Sequence, residues 1–554
     1  MRLLIDVFGF LSVLLRGGEI AAQSFVVGGI AHLLFLLGPL SRRLPPEWPA
    51  LWDLSRRWIQ YSAVALICIM AVWLSVDSAV LTATTELSLL DLLGAGFFIA
   101  GVATIVTAGV ILWLVQQRDR NAGERFALVL LGILLLLSCS MTSHAAARLD
   151  GRAPLIAADM LHQAGACVWI GGIPYFLLSL RFFKSDARAT AAIITRFSAI
   201  AMVAVGALLV AGVAMGLTYI DSIAAVYGTA YGVMVTTKVV LFGILLVFGF
   251  MNNRIGARFE TGDRAAPVLR LRRFAEAEIG IGLSVFFAAA SLTSVPPAAD
   301  LVTDRVTVPE IVERMAPEIP SLTSPEYGAL AIPKLQAELD AKAAEENTEA
   351  PRAYVPGSGV GLPMNAADIL WSEYNHHWAG LFVLAIGLLG LAEKSGRAPW
   401  ARHWPLVFVG LAIFLTIRSD PEAWPLGDIG FWESLRDPEI LQHRIFTALI
   451  TAFGIFEWTI RTGRLKSQRA ALVFPLVTAL AGALLLTHSH SLANVKQELL
   501  IELTHVPLAF FGILAGWARW LEIRLPENDR SWAGWTWRIC FVLVGLLLLD
   551  YREA

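Results

Sequence analysis

The sequence predicts an all-α, polytopic membrane helix bundle of about fourteen transmembrane helices, in two domains joined by an extracytoplasmic linker, and three observations carry that prediction. Hydrophobic residues make up 56% of the 554 and charged residues only 16%, with a mean hydropathy of +0.65, so lipid rather than water has to cover most of the surface. The apolar residues fall in runs of about 20, the length a helix needs to cross a hydrocarbon core of about 30 Å with its backbone amides paired internally. Arginine and lysine gather in alternate connections between those runs.

In chain order the first set of runs lies near Phe8 to Leu40, Trp58 to Val76, Leu89 to Val115, Phe126 to Ser143, Ile156 to Phe182, Phe197 to Ile220, Gly228 to Met251 and Phe274 to Ser294. The first of these continues past any cleavage region into a full span, which predicts a retained helix rather than a removed signal. The second set lies near His376 to Ala392, Trp404 to Ile417, Ile445 to Ile460, Leu472 to Leu486, Leu499 to Leu521 and Trp532 to Leu549. Between the sets, Val295 to Leu370 is rich in Pro, Ala and Glu and carries too little apolar surface to form a core alone. One short helix is expected in it near Ile332 to Glu345. The predicted organisation is therefore an eight-helix domain over 1–297, a linker over 298–370 and a six-helix domain over 371–554.

The connections holding Arg42, Arg43, Arg56 and Arg57, then Arg118, Arg120 and Arg125, then Arg181, Lys184 and Arg188, then Arg254 to Arg273, are strongly basic. Those at Ser75 to Ser88 and Asp221 to Tyr227 carry almost no positive charge. The second set keeps the phase, with Lys394, Arg397 and Arg402, then Arg461, Arg464, Lys466 and Arg469. Basic connections stay in the cytoplasm, so both termini and the linker are expected outside it. The formal net charge of -2 gives no reason to expect a nucleic-acid partner, and four scattered cysteines without a CxxC pair form no disulfide framework. No Walker motif or DKTGT-like phosphorylation sequence is present, which argues against ATP-driven pumping.

Threaded through this topology, His144, His376, His377, His443, His488, His490 and, about a turn inside, His505 sit at or near the outer ends of spans. His162 lies some two turns down its own span. Only His32 and His403 belong to the inner half. Each alone reads equally well as a helix cap or a headgroup-level imidazole, but polar residues in apolar helices are costly, and their concentration on one face points to a metal or cofactor region. Met141 and His144, three apart, are expected on one helical face, with Met160 and His162 at similar depth on the neighbouring span. Thioether plus imidazole is a soft, neutral donor set that suits Cu(I) better than Mg²⁺, Ca²⁺ or Zn²⁺. Cys139 and Cys167 read as packing residues that could add thiolate.

The successive segments HAAARLDG, DMLHQAGACVWIGGIPYFLLSL, RFSAIAMVAVGALLVAGVAMGLTYI, YGTAYGVMVTTKVVLFGILLVFGFMNNR and RRFAEAEIGIGLSVFFAAASLTSVPP resemble, in order and spacing, the blocks of the copper resistance protein D (CopD) family. The resemblance spans roughly Phe8 to Pro297. It implies a bacterial inner-membrane protein of copper uptake or tolerance, working beside a periplasmic copper-binding protein, with His144 and His162 on the family's histidine positions. The half from Asp368 onward is not assigned by it.

Lys238 and Glu19 lie near mid-membrane, where an unpaired charge costs at least about 2.5 to 3.5 kcal/mol, so an ion pair between them is expected; Glu278 is expected near enough to the interface to be solvated. In the second half Glu498, Glu502 and His505 share a helical stripe, after His488 and His490. With His376, His377 and His443 they could build a mixed nitrogen and oxygen site for copper, another transition metal or haem, or the carboxylates could instead pair with Arg418 and Arg444. The residues thus point to a copper transporter or metal-binding membrane protein more than to an enzyme. A membrane oxidoreductase with haem or a metal centre in the second domain, and a docking factor for a periplasmic copper chaperone, are the alternatives.

Overall fold

The computed structural model describes the chain except for residues 1–3, 6, 86, 118–121, 259–264, 302–304, 326–336, 338–365, 421–422, 437, 487–494 and 554. The described residues are helical, with one isolated bridge between Ala423 and Ile429 and no named strand. Eleven of the described helices are long and apolar enough to cross a membrane, and the chain is a multi-pass membrane protein. Three further helices stand where the remaining apolar runs were expected, two shorter and one more polar, and complete the fourteen positions. The short helix expected near Ile332 to Glu345 falls almost wholly outside the described residues.

The described residues divide into two compact units, one up to Arg305 and one from Val306 onward. The first contains α1 (Phe8–Leu40), α2 (Trp48–Thr84), α3 (Gly96–Gln116), α4 (Ala122–Ser140), α5 (Arg152–Phe182), α6 (Ala187–Tyr219), α7 (Ala230–Arg258) and α8 (Ala265–Leu292). α1 packs on α2, α4, α5 and α8 and is the axis of this unit: 72% of its most apolar stretch is buried, against 11% for α6, whose aliphatic faces are left to lipid. Small residues permit the central crossing. A Cβ on Gly171 would stand 2.0 Å from the Ser24 carbonyl oxygen, and one on Gly28 would stand 2.3 Å from the Gly171 backbone, so α1 and α5 meet main chain to main chain. At that crossing α5 breaks between Trp169 and Ile173, while α1 carries a π-helical turn over His32–Leu37.

The second unit contains α9 (Ala366–Lys394), α10 (Leu406–Arg418), α11 (Pro438–Arg461), α12 (Val473–Leu485), α13 (Val495–Arg524) and α14 (Ser531–Leu549). α14 packs on both α9 and α13, and α12 on α13. Glycines again set the spacing: Gly545 of α14 faces the Leu384 backbone of α9, and Gly516 of α13 faces the Ala479 backbone of α12. The stretch after Arg305 adds a helix at Val308–Arg314 to this unit, opened by a capping box between Thr307 and Glu310.

Candidate functional site

The interior of the first unit holds a polar network where hydropathy alone would place apolar packing. Arg16 Nη1 donates to Glu19 Oε2 at 2.6 Å, one turn along α1, and to Thr142 Oγ1 at 2.9 Å beyond the end of α4. Both charged groups are buried, and the Cys139 thiol lies beside Glu19. Glu19 therefore pairs with Arg16 and not with Lys238, a correction to the sequence-based expectation. The partner already stands on the same helical face, so no second helix has to supply it. Four residues further along, Gln23 Nε2 reaches Gln163 Oε1 at 3.0 Å, and Gln163 Nε2 donates to Ser140 Oγ and Asp159 Oδ2, each at 2.9 Å.

Asp159 is the hub that the sequence reading passed over. Its carboxylate is held by Gln163 one turn on, and its field reaches Arg16, His162, Tyr219, Tyr231 and Lys238. Lys238 of α7 thus feels the charge of Asp159 of α5. The signal was present in the sequence, since Asp159 and His162 stand three apart on one face of an otherwise apolar helix.

The residues singled out from the sequence take these places. His162 contacts the Leu208 carbonyl through Nδ1 at 3.2 Å, and its ring lies against Gly212 of α6. His144 Nε2 stands 2.9 Å from the Leu292 carbonyl oxygen at the end of α8, and its ring meets those of Tyr219 and Tyr231 at 6.4 and 6.1 Å. Met141 and Met160 are half-buried, Met160 against the main apolar cluster. Met141 and His144 do not share one helix as expected: α4 ends at Ser140, a turn follows, and His144 opens a separate short helix to Ala147. Above this end Arg305 clamps the chain, donating to Asp221 Oδ1 at 2.7 Å and Ser222 Oγ at 2.8 Å, and that hydrogen bond holds the Asp221 carboxyl below the usual range. Glu278 is buried rather than solvated. It accepts a hydrogen bond from Asn252 and lines a cavity with Trp169 and Phe176, because α7 packs along the same stretch of α8.

In the second unit His376 and His505 meet, with ring centres 6.3 Å apart. His377 is held by main chain on both sides: Ser321 N–H donates to Nδ1 at 2.9 Å, and Nε2 stands 2.9 Å from the Tyr551 carbonyl oxygen. His443 turns to Asp420, Nδ1 to Oδ1 at 2.6 Å. Glu502 is half-buried on α13; His488, His490 and the side chain of Glu498 lie outside the described residues. Arg418 donates to Tyr374 Oη at 3.2 Å and stacks over Trp371, and Arg444 donates to the carbonyls of Thr416 and Trp424. Among the described residues, no three or more His, Cys, Asp or Glu side chains are grouped so as to hold a metal ion.

Residues 191–292, from α6 through α8, match the family described as copper resistance protein D. The chain carries a copper resistance protein D segment. Over 199 residues it is also 31% identical to the copper transport protein CutJ of Bacillus subtilis (strain 168), a match covering 36% of this chain and 35% of that protein. The matched part is thus about a third of the length of this curated relative. No solved structure matches. Within the matched residues lie Lys238, Tyr219, Tyr231 and the carbonyls of Leu208 and Leu292 that hold His162 and His144; the two histidines themselves precede it.

Proposed function

We propose that this protein handles copper in a bacterial inner membrane, taking the ion from the outer side into the CopD-like unit and either passing it across or holding it there. The observation that carries the reading is that the unit holding the copper resistance protein D segment also places half-buried His144, Asp159 and His162 and buried Glu19 among its apolar spans. Met141, Met160, His144 and His162 offer soft, neutral donors to the ion. Asp159 supplies the negative charge, worth far more in a low-dielectric interior than in water. Gln163, itself held by Gln23 and Ser140, fixes the carboxylate. Arg16 is the tethered counter-ion of Glu19, and Lys238 lies within the field of Asp159, which limits the cost of burying these charges. A periplasmic copper-binding protein is the natural donor to the end formed by His144, Tyr219 and Tyr231.

Copper content of cells expressing the full chain, read by mass spectrometry, tests this. Asp159→Asn and the double variant His144→Ala/His162→Ala should each lower copper-dependent accumulation or tolerance by roughly tenfold or more, at unchanged membrane abundance. Accumulation and tolerance equal to wild type in both variants would remove copper from this unit.

A further inference from the structure

The second unit brings two imidazoles from different helices together under a tyrosine. His376 belongs to α9 and His505 to α13; both helices pack on α14, and Tyr551 follows the end of α14. Each histidine places Nδ1 at hydrogen-bond distance from the carbonyl four residues earlier on its own helix, His376 to Ser372 at 2.8 Å and His505 to Ile501 at 2.9 Å. A carbonyl only accepts, so each Nδ1 carries the proton and each Nε2 carries the lone pair. That is the tautomer, fixed from behind by a carbonyl, in which histidine ligates a metal.

The spacing fits one ion. The ring planes stand at 85° and the ring centres are 6.3 Å apart. Two metal–nitrogen bonds of about 2 Å, added to the two ring radii, bring imidazole centres to roughly this separation when nitrogen, metal and nitrogen are close to collinear. Tyr551 stacks on His376 with ring centres 3.9 Å apart and meets His505 edge-on at 5.5 Å. The triangle of these three separations puts the middle of the His376–His505 line within about 4 Å of the Tyr551 ring centre, inside the range at which a cation and an aromatic ring interact. The same placement excludes a haem between the two imidazoles, because the macrocycle would have to pass through the tyrosine ring.

Charge and ligand number then select the metal. Glu553 Oε2 accepts from Tyr551 Oη at 2.5 Å and Ser372 Oγ at 2.7 Å, and its carboxylate charge acts on both histidines. Zinc takes four ligands and calcium or magnesium an oxygen shell, whereas this pair supplies two nitrogens. A monovalent d¹⁰ ion, Cu(I) or its redox-inert analogue Ag(I), is satisfied by two nitrogen donors in line. We infer that His376 and His505 form a two-coordinate Cu(I) site, roofed by Tyr551 and charge-balanced by Glu553. It rests on the copper reading for the identity of the cargo but lies in the other unit and uses none of the same residues.

The test uses full-length protein in detergent, titrated with Cu(I) against a chromophoric Cu(I) chelator, and with Ag(I) alone. Wild type should hold one more equivalent of either ion than His376→Ala, His505→Ala or the double variant, whereas Tyr551→Phe, which keeps the ring, should retain it. Equal stoichiometry in all of them overturns the site. X-ray absorption of the His144→Ala/His162→Ala protein loaded with one equivalent of Cu(I) leaves His376 and His505 intact and so does not depend on how their variants fold. Two nitrogen neighbours and no sulfur support the site; three or four ligands, or sulfur, overturn it. Loss of cellular copper accumulation in Asp159→Asn with this signal unchanged separates the two units' roles. Normal accumulation in that variant with the signal present would fail the first reading and leave this one standing.

Discussion

At the residue scale, every buried charge raises the question of what compensates it. Glu522 on α13 accepts from Arg519 at 2.5 Å, from Trp537 Nε1 at 2.7 Å and from Arg538 at 3.1 Å, with Lys394 at 3.4 Å. Arg461, Arg519 and Arg538 all lie over the Trp537 ring, and Arg461 is held in turn by Glu457 and Glu393. This assembly balances charge in a place where one missing carboxylate leaves several guanidinium groups desolvated. Glu522→Ala should therefore cost about 3 kcal/mol or more, and Glu522→Gln less, since the amide oxygen still accepts. Thermal unfolding of the full chain in detergent measures it; melting unchanged from wild type in Glu522→Ala would show that the cluster contributes nothing. The depth of such residues was legible in the sequence, which placed Lys238 and Glu19 inside the membrane. Their partners were not. Which carboxylate faces Lys238 depends on how α5 and α7 are rotated about their axes, and hydropathy carries no record of rotation. The local pair Arg16–Glu19 could have been read from its spacing, whereas the place of Lys238 within the field of Asp159 needed the fold.

At the element scale, apolar runs located the spans but not their ends. The run from Trp58 to Val76 is the middle of a helix that extends from Trp48 to Thr84, because hydropathy marks the part of a helix that meets lipid, while helical hydrogen bonding continues into the polar flanks. Arg56, expected in a connection, is consequently buried in α2, where it pairs with Glu124 at 2.9 Å and donates to the carbonyls of Leu114 and Val115 that end α3. The break in α5 was equally hidden, although GG at 171–172 is its signature once the crossing with α1 is known. That crossing makes a sharp prediction. Gly171→Ala puts a methyl group 2.0 Å from the Ser24 carbonyl oxygen, which main chain on both sides cannot relieve, whereas Gly206→Ala on α6 meets nothing within 4 Å. The first should lower melting markedly and reduce folded yield, and the second should be neutral or raise stability by about 0.5–1 kcal/mol. Equal melting of the two variants would mean that α1 and α5 do not pack backbone to backbone.

At the scale of the whole molecule, the fold class was legible because composition and run length are properties of the solvent the chain must meet, and lipid permits few alternatives. The arrangement of the histidines was not: of the six assigned to one face by depth, the four in the described residues are sorted by local partners, His377 to main chain, His443 to Asp420, and His376 with His505 to each other. Orientation is the remaining property that the charge pattern sets. The first unit has an even number of spans, eight, and its basic connections fall at alternate ends. In the second unit α9 leads to α10 through Lys394, Arg397 and Arg402, α11 to α12 through Arg461, Arg464, Lys466 and Arg469, and α13 to α14 through Arg524 and Arg530. If each basic connection stays inside, the stretch between the units and both ends of the chain emerge on the outer side. The sites at His144 and at His376 would then open to the same compartment as an external copper donor. A cysteine placed at the exposed Thr323, with Cys68 replaced by Ser, should react in intact cells with a thiol reagent that cannot cross the membrane. Reaction only after the membrane is opened would invert every span, turn both proposed sites towards the cytoplasm, and make the protein an acceptor of cytoplasmic copper instead.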